Sequence, residues 1–214
     1  MAKQGNSILT TYSAIMAIVC WFTLVAQLIL SINTKAAPVA ELIARYFTYY
    51  TILTNILVAL CFTFLALKPT SASGNFFTKP ATLTATTVYI TIVGVVYNVI
   101  LRFTWNPQGL QRIVDELLHL VIPVIFIVFW FTFVPKGQLK SKNILPWLIY
   151  PLVYLFVVLI RGALSGFYPY PFIDVNALGY IKTLINAGGL TIAFALLALL
   201  FVLIDRLLDR KTDI

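Results

Sequence analysis

Six runs of this 214-residue chain carry no formal charge, and each is about long enough to cross the roughly 30 Å hydrocarbon core of a bilayer as a helix. They cover residues 8–32, 46–67, 81–101, 117–134, 144–160 and 183–204. Within them apolar residues follow one another instead of alternating with polar ones, so barrel strands are not indicated. Backbone amides cannot go unpaired in lipid, which leaves helices. The pattern predicts an all-α polytopic membrane protein, with six transmembrane helices in one bundle forming a single domain over residues 1–214. Turn chemistry falls between the runs, at Lys68-Pro69-Thr70 to Gly74-Asn75, at Asn106-Pro107-Gln108-Gly109 and at Val134-Pro135-Lys136-Gly137. No loop is large enough to fold as a separate domain, so any site lies within the bundle or at its mouth. The longest connection, residues 162–182, is rich in aromatics and proline and reads as a rigid cap at the membrane interface, with Tyr168 and Tyr170 as anchors. No convincing three-plus-three inverted repeat links the two halves.

Composition agrees: 61% of residues are hydrophobic, 10% are charged and the mean hydropathy is +0.96, too little polar surface for a water-soluble globule. The net charge of +8 would raise the question of nucleic acid in a soluble chain. Here its distribution reads as topology. One side carries Lys3, Lys68, Lys79, Lys136, Lys140, Lys142, Arg206, Arg210 and Lys211, against Lys35, Arg45, Arg102, Arg112, Arg161 and Lys182 on the other. The positive-inside rule then places both termini in the cytoplasm, in a plasma-membrane protein with no nucleic-acid partner. The basic tail after Ile204 reads as an anchor beside anionic lipid. The first run is too long, and too weakly preceded by charge, for a cleaved signal peptide. Cys20 and Cys61 both fall inside spans and say little about redox compartment.

Polar residues gather at the non-cytoplasmic ends of the spans. Arg45, Thr48 and Asn55 follow steps of three and seven, which puts them on one helix face. Thr91, Asn98 and Arg102 follow steps of seven and four, and Tyr154 and Arg161 lie seven apart. Asp115, Glu116 and His119 open the fourth span. Alternation of spans brings all four groups to one membrane side, where converging polar faces would form a pocket. Each has a plain reading as well: arginines at helix ends snorkel to phosphates, and Thr48 can return its hydroxyl to a carbonyl one turn back. His119 is the sole histidine, the one side chain whose ordinary titration lies near neutral pH. Asp115 at i−4 or Glu116 at i−3 can hold one ring nitrogen while the other works as a base. Spacing does not choose between them.

Three segments together carry a resemblance: Arg45-Tyr46-Phe47-Thr48-Tyr49, His119 followed by Pro123, and Gly166 with Tyr170-Pro171-Phe172. The chain resembles the androgen-induced and androgen-dependent TFPI-regulating proteins, and looks most like their bacterial six-span relatives, the Pr-six-Pr membrane proteins. The resemblance implies hydrolysis of fatty acid esters of hydroxy fatty acids, with Thr48 as nucleophile and His119 as base. Thr51 and Thr54 lie close enough to Thr48 in sequence to compete for the nucleophile's place.

A threonine hydroxyl needs a base within hydrogen-bond reach, and His119 is the only imidazole present. Arg102, Asn98 and Arg161 are candidates to stabilise the oxyanion. Arg45 or Arg161 suits a substrate carboxylate. Asn55, Asp115, Glu116 and Tyr170 complete the supporting set. The expected partner is a lipid or acyl ester within the bilayer, with no cofactor and no metal, since Cys/His metal spacing, phosphate-cradling glycine loops and calcium-type acidic sets are all missing. Two other classes remain: a proton-coupled or anion transporter using His119 with Asp115 or Glu116 as relay, and a lipid-binding subunit without turnover.

Overall fold

The computed structural model describes residues 2–67 and 71–209, with side chains from residue 7 onward. Lys3, the Lys68-Pro69-Thr70 turn, Arg210 and Lys211 therefore lie outside the described side chains. The protein is 84% helical, and the described residues contain no strand. Six helices are long and apolar enough to cross a membrane: Ser7–Asn33, Tyr50–Leu67, Pro80–Leu101, Leu110–Phe133, Ser141–Ser165 and Val175–Asp209. The chain divides into two compact units, Met1–Pro135 and Lys136–Ile214.

In the first unit, helix α1 (Ala2–Asn33) packs against α3 (Tyr50–Leu67). The Trp21 indole donates to Thr63 Oγ1 at 3.1 Å. At the other end of α3 the chain is pinned by α2 (Val39–Tyr46), whose Tyr46 hydroxyl donates to the Leu24 carbonyl at 2.8 Å. The short helix α4 (Ala72–Phe77) is capped by Ser71, whose hydroxyl accepts from the Gly74 amide at 3.1 Å. Helix α5 (Pro80–Val96) begins on a proline, where no N–H is missed. It then widens into a π-helical turn, Tyr97–Leu101. The fourth span is α6 (Leu110–Glu116), a second π turn at Leu117–Val121, and α7 (Ile122–Phe133). The core of this unit is aromatic: Phe62 of α3 and Phe126, Phe129 and Trp130 of α7 are essentially buried, and the Trp130 indole donates to Thr84 Oγ1 at 2.7 Å. Cys20 and Cys61 are buried free thiols.

Several boundaries differ from the sequence reading: the fifth helix runs on to Ser165 and the sixth starts at Val175 and ends at Asp209, so much of the expected cap over 162–182 is helical. Two further differences bear on the site. The second span starts at Tyr50, not at residue 46, because the chain turns tightly at Phe47–Tyr49, with the Thr48 amide on the Arg45 carbonyl at 2.9 Å. Arg45 and Thr48 therefore do not continue the α3 face that carries Asn55. The fourth span starts at Leu110, not at residue 117, so Asp115 and Glu116 sit inside a helix and not ahead of one.

In the second unit, α8 (Ile144–Ser165) ends at Gly166, whose φ of 71° is the left-handed turn that glycine adopts without a Cβ penalty. The Tyr168 ring then folds back over Gly162, filling the space that a Cβ there would need. A single 3₁₀ turn, Pro171–Ile173, leads to α9 (Val175–Asp209), which is kinked at Gly179 with φ 74°. Asp174 Oδ1 caps α9 by accepting the Asn176 amide at 2.9 Å, and the Asn186 side chain donates to the Phe172 carbonyl at 2.9 Å. Near the end of α9 the buried Asp205 accepts the Leu139 amide at 3.0 Å, which ties the connection before α8 to the last helix.

Candidate functional site

The polar centre of the first unit is built where the two π turns meet. The fourth span has a backbone problem at this point. The Ile122 amide reaches back five residues to the Leu117 carbonyl, so the next carbonyl, that of Leu118, would await an N–H from residue 123. Residue 123 is proline and has none. Two asparagines from neighbouring helices fill the gap. Asn98 Nδ2 donates to the His119 carbonyl at 3.1 Å and to the Gly94 carbonyl at 2.8 Å. Asn55 Nδ2 donates to the Thr51 carbonyl at 2.8 Å and lies 3.4 Å from the Leu118 carbonyl. Close approach is possible because Gly94 faces Pro123: a Cβ on Gly94 would stand 3.3 Å from Pro123 Cβ.

His119 hangs from this repaired turn. Its Nδ1 lies 2.9 Å from the Asp115 carbonyl and 3.2 Å from Asp115 Oδ1. A carbonyl and a carboxylate only accept, so the proton of the neutral ring belongs on Nδ1 and the lone pair on Nε2. Nε2 has no hydrogen-bond partner among the described residues, and the side chain is 14% exposed. Asp115 is buried, and its Oδ2 accepts from the Tyr97 hydroxyl. The Tyr97 ring stacks flat on the imidazole, with centroids 3.7 Å apart and planes at 15°. Trp105 Nε1 in turn donates to the Tyr97 hydroxyl at 3.2 Å. Arg102 is held by two groups, with Nη1 donating to Asn98 Oδ1 at 2.7 Å and Nη2 paired with Glu116. The choice that spacing left open is thus made by the neighbours: Glu116 turns to Arg102, and Asp115 takes the histidine.

The other predicted residues have their own partners. Thr48 is buried, and its hydroxyl donates to the Ala44 carbonyl at 2.7 Å, the turn-back bond that its position allowed. No hydrogen bond joins Thr48, Thr51 or Thr54 to His119. Arg45 pairs with Glu41 at 2.8 Å. Asn55 is fully buried, and its Oδ1 has no hydrogen-bond partner in the described structure. Arg161 and Tyr170 belong to the second unit. The Arg161 guanidinium lies 5.4 Å from the centre of the Phe167 ring and donates to Ser165 Oγ at 3.3 Å, while the Tyr170 ring stacks on Phe172. Among the described residues, no group of three or more His, Cys, Asp or Glu side chains gathers as metal ligands.

Tyr97 and Trp105 escaped the sequence reading. Neighbours on an α-helix point about 100° apart, so a face defined by Asn98 and Arg102 leaves Tyr97 out. Only the widened π turn lets Tyr97 and Asn98 both meet His119. One signal was available: a proline four residues after His119 implies a carbonyl that some side chain must satisfy. No family model matches this chain, and no curated protein or solved structure is significantly similar to it.

Proposed function

We propose that the protein is an integral membrane hydrolase of lipid esters in which His119 Nε2 is the general base. The observation that carries this reading is the Asp115–His119 pair: an imidazole whose Nδ1 proton is on the Asp115 carbonyl at 2.9 Å, with the buried Asp115 carboxylate 3.2 Å from the same nitrogen, and whose Nε2 has no hydrogen-bond partner among the described residues. An orienting acid and a base in this relation form the base-activating half of a nucleophilic hydrolase site. The motif resemblance supplies the reaction and the nucleophile, Thr48. That hydroxyl would have to leave the Ala44 carbonyl and reach Nε2 before attacking the ester carbonyl; His119 then passes the proton to the leaving alcohol, and a water deprotonated by the same Nε2 cleaves the acyl-Thr48 ester, releasing the fatty acid and restoring the hydroxyl. Asn98 is not the oxyanion donor here, since both its N–H bonds are committed to carbonyls. Arg102, which pairs with Glu116 in the same unit as His119, is the candidate kept, through displacement from Glu116. The apolar spans would accommodate acyl chains, with the site toward the outer leaflet of the plasma membrane and both termini in the cytoplasm.

The test is release of fatty acid from a panel of lipid esters by the detergent-purified protein. General-base help is typically worth ~10² to 10⁴ in rate, so His119→Gln should lower turnover by at least about 100-fold. Thr48→Ala, Thr51→Ala and Thr54→Ala, assayed side by side, identify the nucleophile. If the wild-type protein releases no more fatty acid than a detergent blank, or if His119→Gln matches wild type, the reading is abandoned.

A further inference from the structure

The hydrogen bonds around Asp115 all run one way. The indole of Trp105 can only donate, and an ionised carboxylate can only accept. The Tyr97 hydroxyl between them therefore takes the indole N–H on its lone pair and gives its own proton to Asp115 Oδ2. On the other side Asp115 Oδ1 lies 3.2 Å from His119 Nδ1, whose proton is on the Asp115 carbonyl at 2.9 Å. Tyr97 thus touches the histidine twice, once through the carboxylate and once by stacking its ring on the imidazole. A tyrosine that only filled space would need neither its hydroxyl on the carboxylate nor an indole on the hydroxyl.

We propose that Tyr97 is the positioning residue of His119: its hydroxyl fixes the rotation of the Asp115 carboxylate so that Oδ1 faces Nδ1, its ring sets the imidazole plane, and Trp105 holds the hydroxyl. Trp105 sits in the connection between the third and fourth spans and is 45% exposed. The state of that connection is therefore transmitted to the base. With the Tyr97 hydroxyl removed, the carboxylate is free to turn away from Nδ1, which keeps its bond to the Asp115 carbonyl but loses the charge beside it. The consequence for rate rests on the hydrolase reading; the geometric consequence does not.

The experiment uses the fact that His119 is the only histidine. Labelling histidine with ¹⁵N in the full-length protein in detergent gives the Nδ1 proton of one imidazole and no other. In wild type that proton, on the Asp115 carbonyl with the Asp115 carboxylate 3.2 Å from the same nitrogen, should resonate downfield. Tyr97→Phe keeps the ring and removes only the hydroxyl, and should move the signal upfield toward its position in Asp115→Asn. Trp105→Phe should move it the same way by less. On the activity side, losing one such hydrogen bond should lower kcat about tenfold with KM unchanged. A Tyr97→Phe signal that stays at the wild-type position overturns the proposal, whatever the activity. A shifted signal in a protein that hydrolyses no ester supports the positioning role and sinks the hydrolase reading alone. A fall in kcat/KM that comes wholly from KM also counts against Tyr97 acting through the base.

Discussion

Tyr46 shows how one side chain fastens the short helix before the second span. Its ring is 4% exposed and its hydroxyl donates to the Leu24 carbonyl, so burial pushes the phenol up from 10.0 to about 12. A raised folded-state value means stability that is fully present below the unfolded value of 10.0 and is lost as pH climbs through about 12. Tyr46→Phe should therefore cost roughly 1 kcal/mol at pH 7, the net value of a buried hydrogen bond. Because phenylalanine has no proton to lose, that deficit should shrink and then reverse between these two values. Thermal unfolding of both proteins across the alkaline range checks this; a difference that does not change with pH means the hydroxyl is not held as described. Residue chemistry was legible in the sequence where it depended on a step of one turn: Thr48 returns its hydroxyl to the Ala44 carbonyl, and His119 was expected beside an acid at i−4 or i−3, although spacing did not choose Asp115 over Glu116. It was not legible where partners came from another helix: Glu116 with Arg102, Tyr97 with Asp115, and Asn55 with Leu118.

At the scale of elements, the apolar runs located all six long helices because burial in lipid leaves the backbone no alternative. Their ends were less visible. Leu110–Glu116 contains Arg112, Asp115 and Glu116, so a criterion built on absence of charge stops short of it, although backbone hydrogen bonding continues regardless. The break at Phe47–Tyr49 contains no glycine or proline to announce it. The π turns had no signature beyond Pro123, and they are the elements that build the site. Asn98 pins them together, from one turn to the His119 carbonyl of the other. Asn98→Leu keeps a similar volume but strands that carbonyl and releases Arg102 Nη1 from its acceptor. A buried acceptor left without its donor costs ~1 to 3 kcal/mol, so the variant should melt at lower temperature than wild type. Asn98→Ala should behave alike, since the lost group is the same amide. Unchanged melting in both would mean that the π turns hold their register without the pin.

For the whole molecule, the arrangement of charges makes a claim that helix geometry alone does not. The connection after the third span, with Asn106 exposed, and the connection before the fifth, followed by the exposed Lys142, are separated by one crossing of the membrane, Leu110–Phe133. Lys136 and Lys140 lie on the second connection and Lys142 in the first turn of the fifth helix; from the positive-inside rule we predict that this end is cytoplasmic and Asn106 outside. Single cysteines can test this without rebuilding the protein. Cys20 and Cys61 are both 0% exposed, and burial in apolar surroundings keeps such thiols inert. In intact cells, an impermeant maleimide should label Asn106→Cys and leave Lys142→Cys untouched until the cells are opened. The reverse pattern would turn the molecule over and move the His119 cluster to the cytoplasmic side. A substrate would then have to come from the inner leaflet, and the ester panel should be chosen accordingly. Equal labelling of both positions in sealed cells would mean that Leu110–Phe133 does not cross, and the six-span architecture would fail with it.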